Sequence, residues 1–148
     1  MPAGPEAEIL DSLRRISRAL DVFSHGLAAR FRLTVPQLVC LRALLDAPAQ
    51  TPGQLAREVA LSQATVTGIL DRLEARGFIE RRRDARDRRR VLLNITAAGR
   101  QAAALAPACL HQRLAGNLAN LPDDERQQIA GVLRRVAAMM EEAAPPTV

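Results

Sequence analysis

The chain has 148 residues, 48% of them hydrophobic and 25% charged, which is enough to bury one core and too apolar for a disordered body. Its longest unbroken apolar stretches, such as Ala102 to Ala106, are far too short to cross a bilayer, and Met1-Pro2-Ala3-Gly4-Pro5 lacks the basic and apolar regions of a signal peptide. A cytoplasmic location with no membrane partner is therefore expected. The formal net charge is +5 and all 21 basic residues are arginine, whose planar forks pair with phosphate oxygens and guanine edges at two points.

The first element is a long helix over Glu8 to Ala29, with Ile9, Leu13, Ile16, Leu20, Phe23 and Leu27 at three- and four-residue steps. Thr34 reads as the cap of a second helix, with Pro36 in its first turn and Leu38, Val39, Leu41, Leu44 and Leu45 as its inward face. Asp46-Ala47-Pro48-Ala49-Gln50 ends it. Thr51-Pro52-Gly53-Gln54 is a capping box with proline at the first helical position, so a short third helix runs to about Val59. Ser62 caps a fourth.

Only Ala60-Leu61 separates the third and fourth helices, a link short enough to force a steep crossing, as in a helix-turn-helix, although the glycine common in such turns is missing. On the fourth helix Val66, Ile69, Leu70 and Leu73 form the buried stripe. That turns Ala64, Thr67, Gly68 and Asp71 outward and leaves Thr65 and Arg72 on the flanks. A small, polar N-terminal half is what a groove-entering helix needs, since bulky side chains would hold its backbone away from base edges. Alone, the same pattern also describes an ordinary amphipathic surface helix.

The segment that follows separates those readings. Gly77 closes the helix, Phe78-Ile79-Glu80-Arg81 begins an extended run, and the β-rich Val91-Leu92-Leu93-Asn94-Ile95 answers it. The loop of that hairpin lies in Glu80 to Arg90, a stretch holding seven of the chain's basic residues and only three acids. A helix-turn-helix followed at once by a basic hairpin is a winged helix. Its arginines would meet backbone phosphates and a narrow minor groove. The expected fold is thus mainly α with a small β-hairpin wing, an α+β winged helix-turn-helix. Thr96 then caps a helix from Ala97 to about Leu118, kinked or broken at Pro107. Pro122-Asp123-Asp124-Glu125 opens a last helix with Ile129, Val132, Leu133 and Val136 as its stripe.

At this point the chain closely resembles the MarR family of bacterial transcriptional regulators. The resemblance is carried by Leu33-Thr34, Gln37, Leu41, Leu55-Ala56, Leu61-Ser62, Thr65-Val66-Thr67, Leu70-Asp71-Arg72-Leu73-Glu74, Gly77-Phe78-Ile79, Arg82, Asp87-Arg88-Arg89, Ile95-Thr96 and Gly99-Arg100. It implies a recognition helix from Ser62 to Arg76, presenting Ser62, Gln63, Ala64, Thr65, Thr67, Gly68 and Arg72 to double-stranded DNA. It implies a DNA-binding wing made by Arg82, Arg83, Arg86, Asp87, Arg88, Arg89 and Arg90, with Asp87 orienting Arg89 as the minor-groove finger. It divides the chain into an N-terminal dimerisation helix (1–32), the DNA-binding lobe (33–99), C-terminal dimerisation helices (100–142) and a disordered tail (143–148). By the same resemblance the protein is a homodimeric repressor of a near-palindromic operator, released by a small aromatic or phenolic effector whose pocket the sequence does not locate.

Two alternatives accompany that reading. One is an oxidation-responsive regulator acting through Cys40 or Cys109, although both positions read as buried small hydrophobes and oxidant-sensing relatives carry their cysteine near the start of the first helix. The other is a winged-helix protein-interaction module docking an acidic partner. An enzyme is not expected: the chain has no Ser/His/Asp or Cys/His arrangement, glycine-rich phosphate loop or paired-carboxylate constellation, and so no catalytic residue is assigned. No cofactor is expected. No metal site is expected either, because the two cysteines lie far apart and His25 and His111 read as surface or packing residues.

Overall fold

A computed structural model describes residues 4–108 and 110–143. Cys109 and nearly all of the tail expected to be disordered lie outside the described residues; Ala143, assigned to that tail, still belongs to the last helix. The chain divides into two compact units, residues 1–109 and 110–148.

The first unit runs α1 (Pro5–Phe31), α2 (Val35–Asp46), α3 (Pro52–Glu58), α4 (Gln63–Ala75), β1 (Ile79–Arg83), β2 (Val91–Ile95) and α5 (Ala97–Leu105). Side-chain oxygens fix where its helices begin. Thr34 and Thr51 each accept from the backbone N–H three residues on, while Gln37 and Gln54 reach back to the cap N–H, closing two capping boxes. Ser62 and Thr96 cap α4 and α5 through Thr65 N and Gly99 N.

The core gathers Leu27, Leu33, Leu38, Leu41, Leu44, Leu55, Val66, Leu70, Leu73, Ile79 and Leu93, all at 2% exposure or less. Each such leucine contributes roughly 2 kcal/mol relative to leaving it in water. On α2 the expected Leu38, Leu41 and Leu44 are buried, as is Cys40, but Gln37 and Ala43 join them and Leu45 is 39% exposed.

β1 and β2 pair antiparallel, with Ile79 opposite Ile95, Arg81 opposite Leu93 and Arg83 opposite Val91. The hairpin gains a third partner at its base, where Leu93 N donates to Gln50 O at 2.8 Å. The Gln50 side chain, buried, donates to Glu58 Oε2 at 2.6 Å and ties that bridge to α3. The α3–α4 turn is made without glycine: Ala60 adopts φ 55°. Ala60 N donates to Arg57 O, and Leu61 N donates to Ala56 O. Gly77 (φ 73°) reverses the chain after α4. Gly99 allows α5 to start hard against the wing, since a Cβ there would lie 2.0 Å from Phe78 O.

α1 begins at Pro5, earlier than expected, and runs to Phe31, but only Leu27 of its apolar stripe is buried; Ile9 and Ile16 are each 50% exposed. The helix after the wing is broken, α5 ending before Ala106-Pro107. Arg42 on α2 donates to both the Ala106 and Pro107 carbonyls at 3.0 and 2.9 Å. The second unit holds α6 (Leu110–Ala119) and α7 (Asp123–Ala143), whose first turn carries Asp123, Asp124 and Glu125 at its positive end. No residue of either helix is buried.

Candidate nucleic-acid interface

α4 turns Gln63, Ala64, Thr65, Thr67, Gly68, Asp71 and Arg72 outward because Val66, Ile69, Leu70 and Leu73 are pinned in the core. Its hydroxyls are largely committed locally. Ser62 Oγ lies 2.7 Å from Thr65 Oγ1, and Thr67 Oγ1 donates to Gln63 O at 2.8 Å. The helix therefore offers small, rigid, short side chains, with the Gln63 amide and the Arg72 guanidinium left without a partner among the described residues. Those two keep free hydrogen-bonding groups of the kind that pair with base edges. No atom lies within 4 Å of where a Gly68 Cβ would stand, so this glycine leaves an open notch in the exposed face.

The wing tip is built by two aspartates. Asp84 Oδ1 accepts from Arg86 N at 2.9 Å, and Asp87 Oδ1 accepts from Arg89 N at 3.0 Å, each a local side-chain turn. Backbone bonds from Asp84 N to Arg90 O and from Arg90 N to Asp87 O close the loop. Asp87 thus grips the backbone of Arg89 and leaves its guanidinium unattached.

Six of the seven arginines of the stretch divide into two groups. Arg83 donates to Arg88 O at 2.8 Å, Arg82 pairs with Glu80 at 2.8 Å, and Arg90 stands 3.9 Å from Asp84. Arg86, Arg88 and Arg89 are exposed and without side-chain partners among the described residues, so the tip carries the available charge. Arg83, expected among the DNA-binding arginines, is engaged in holding the tip's shape.

Arg81 was not among the expected site residues. Its guanidinium pairs with Asp71 at 2.7 Å and Glu74 at 2.5 Å, joining β1 to α4. Burial works against the charge, but the bonds to both carboxylates outweigh it and hold the pKa above the usual arginine value. The alternation that puts Ile79 inward also puts Arg81 inward, and Asp71 and Glu74 share a helix face. Those were the signals in the sequence. At the far end of α4, Arg76 stacks 4.5 Å over the Phe78 ring and donates to the Arg32 carbonyl at the end of α1.

Cys40 is fully buried, and desolvation pushes its thiol up to about 11, so the reactive thiolate is scarce. Cys109, the other expected candidate for oxidation, lies outside the described residues. Beside the α1–α2 corner, Ser24, His25, Ala28, Thr34, Val35 and Pro36 line an open, mainly apolar cavity of about 340 Å³.

The MarR family model matches residues 33–91, from the start of α2 into the wing's return strand. The chain is also 35% identical over 115 residues to the HTH-type transcriptional repressor NicR of Pseudomonas putida, covering 76% of this chain and 71% of that protein. This chain belongs to the MarR family. A second relative of this MarR-family chain, the HTH-type transcriptional repressor YetL of Bacillus subtilis, is 30% identical over 136 residues, covering 85% of this chain and 77% of that protein. Among solved structures, the PcaV transcriptional regulator from Streptomyces coelicolor in complex with its natural ligand matches with a TM-score of 0.64 at 28% identity, over 93% of this chain and 98% of that one. FabT from Streptococcus pneumoniae in complex with DNA matches at 0.60 and 26% identity, over 94% and 99%. The MarR-family fold, a winged helix with a two-stranded wing, is the one found here, and the family is one of transcriptional regulators, not enzymes.

Proposed function

We propose that this MarR-family regulator is a cytoplasmic homodimer that represses transcription by holding a near-palindromic operator and lets go when a small aromatic or phenolic effector binds. The observation that carries the DNA-reading part is the pairing, within one compact unit, of a short-chained helix face with three unpartnered guanidiniums on the wing tip. In this reading α4 enters the major groove through Gln63, Thr65, Thr67, Gly68 and Arg72, while Arg89 enters the minor groove and Arg86 and Arg88 meet phosphates. The DNA-bound FabT structure supports it.

Dimerisation is supported by apolar surface that one chain leaves open. α1 presents Ile9, Ile16 and Leu20, and α7 presents Val132, Leu133, Met139 and Met140, each between 39% and 61% exposed. Exposed apolar surface of that extent marks an interaction site. We assign residues 1–32 and 100–142 to the dimer and 33–99 to DNA. Two-fold symmetry then sets the half-sites about one helical turn, or ~34 Å, apart. Ligand release is supported by the ligand-bound PcaV relative and by the apolar cavity beside His25. A ligand that binds one spacing of the two lobes better than the other shifts the population by its differential affinity. Thiol sensing ranks below it, because Cys40 is buried and held protonated. Among the described residues no helix is long and apolar enough to cross a membrane, in keeping with the cytoplasmic assignment.

The deciding experiment is selection of bound fragments from genomic DNA by the purified protein, with retesting at two salt concentrations. Enrichment of a palindrome whose binding weakens steeply with salt is expected. Salt-sensitive binding without any enriched sequence would replace the operator reader with a nonspecific coater. No DNA binding at all would favour a protein-docking module.

A further inference from the structure

Arg81 stands where β1 is placed to present an apolar side chain. It follows Ile79 by two residues on the same side of the strand and faces Leu93 across the register, and both of those neighbours are buried. Its guanidinium closes over α4, with Nη2 2.7 Å from Asp71 Oδ1 and Nη1 2.5 Å from Glu74 Oε2. The Arg81 backbone N–H adds a bond to Glu74 Oε1 at 3.3 Å, so both oxygens of that carboxylate are used. Asp71 and Glu74, three residues apart, are neighbours on the helix surface, and a planar fork can serve both at once where an ammonium would meet them as a point charge. Among the described residues no other ion pair joins the hairpin to α4.

We infer that Arg81 is a positioning residue that fixes the wing against the recognition helix, so that α4 and the tip arginines meet one duplex in a single register. The inference rests on the DNA-reading function proposed above. A two-stranded hairpin has little stability of its own in water. This one is anchored at its base through Ile79, Leu93, Ile95 and the Gln50 bridge, while Arg82, Arg83 and Arg86 to Arg90 are exposed. Arg81 adds the strut between base and tip. Without it the tip must be ordered on DNA at the moment of binding, and that ordering is charged against affinity. The clamp also occupies two carboxylates on the helix that approaches phosphate.

The test is a double-mutant cycle on the selected operator fragment at one salt concentration, joined to amide hydrogen exchange of the hairpin in free protein. Arg81→Met is expected to weaken binding about tenfold, and in that background Arg89→Ala should cost less than about threefold, against about tenfold in the parent. The Arg82 and Leu92 amides, which face each other in the ladder, should exchange about tenfold faster. The Asp71→Asn, Glu74→Gln pair removes the strut from the helix side, leaves the Arg81 stem packed, and should reproduce both effects even if Arg81→Met fails to fold. An Arg89→Ala cost equal in every background, unchanged exchange, or tighter binding by the acid-free variant with the Arg89 effect intact would overturn the positioning role. A parent that binds no DNA would sink the proposed function instead and leave exchange to decide the strut.

Discussion

Arg89 and Asp87 divide one task between them. Asp87 bonds the Arg89 backbone at 3.0 Å and leaves the guanidinium unattached, so removing the guanidinium and removing its support should differ in size. Arg89→Ala is expected to weaken operator binding about tenfold or more and to lower the salt slope by about one unit, while Asp87→Ala should cost only several-fold. Titration of a labelled operator at several salt concentrations reads both, and equal affinity for the parent and both variants would remove the tip from the mechanism. Cys40 makes a pH prediction. Its pKa is raised by burial to about 11 from an ordinary value near 9, so both states are protonated below pH 9, and above it the unfolded chain alone releases the proton. Stability should therefore fall as pH rises from about 9 to 11, by about 2 to 3 kcal/mol, and Cys40→Ala should flatten that slope in urea midpoints. An unflattened slope would assign the loss to other groups. The exposed face of α4 and the crowded tip were legible in the sequence, because helical period and charge density are local properties. Arg81 was not, since its partners lie on another element and are brought to it only when β1 folds back along α4.

The elements themselves follow closely from short-range chemistry. All four expected caps, Thr34, Thr51, Ser62 and Thr96, accept the expected backbone N–H, and the break at Pro107 falls where proline removes a donor. Two links escaped that reading. Gln50 was placed in a helix-ending loop, yet it supplies a bridge to β2, a contact that depends on the hairpin's return and not on Gln50's neighbours. The α3–α4 turn lacks the glycine common in such links, and Ala60 takes the left-handed φ of 55° in its place. For an L-residue that conformation costs about 1–2 kcal/mol, against about 0.5–1 kcal/mol of extra backbone entropy if glycine replaces it. Ala60→Gly should therefore stabilise the protein by about 1 kcal/mol, raising the melting temperature by a few degrees without changing operator affinity. A lower melting temperature would mean that the Ala60 methyl makes a contact worth more than the strain.

At the scale of the whole molecule, the apolar stripes of α1 and α7 are the features that a single chain leaves unresolved. The sequence displayed both as long amphipathic helices. What covers them could not be read from periodicity, because a stripe buried within a chain and one buried between chains look alike. If a second copy covers them, Leu133→Asp should shift the sedimenting mass from twice 16.1 kDa to 16.1 kDa and weaken binding to a two-half-site operator far more than to a single half-site. A parent that sediments as one chain while bound to its operator would refute the dimer. The tip of three free arginines has one more consequence. A lysine-borne grip can be softened by acetyl groups that erase its charge, but this chain has no side-chain amine to acylate. Its hold on a polyanion cannot be dimmed by that chemistry, which leaves changes of shape, competing anions and the surrounding salt to decide when the duplex is set free.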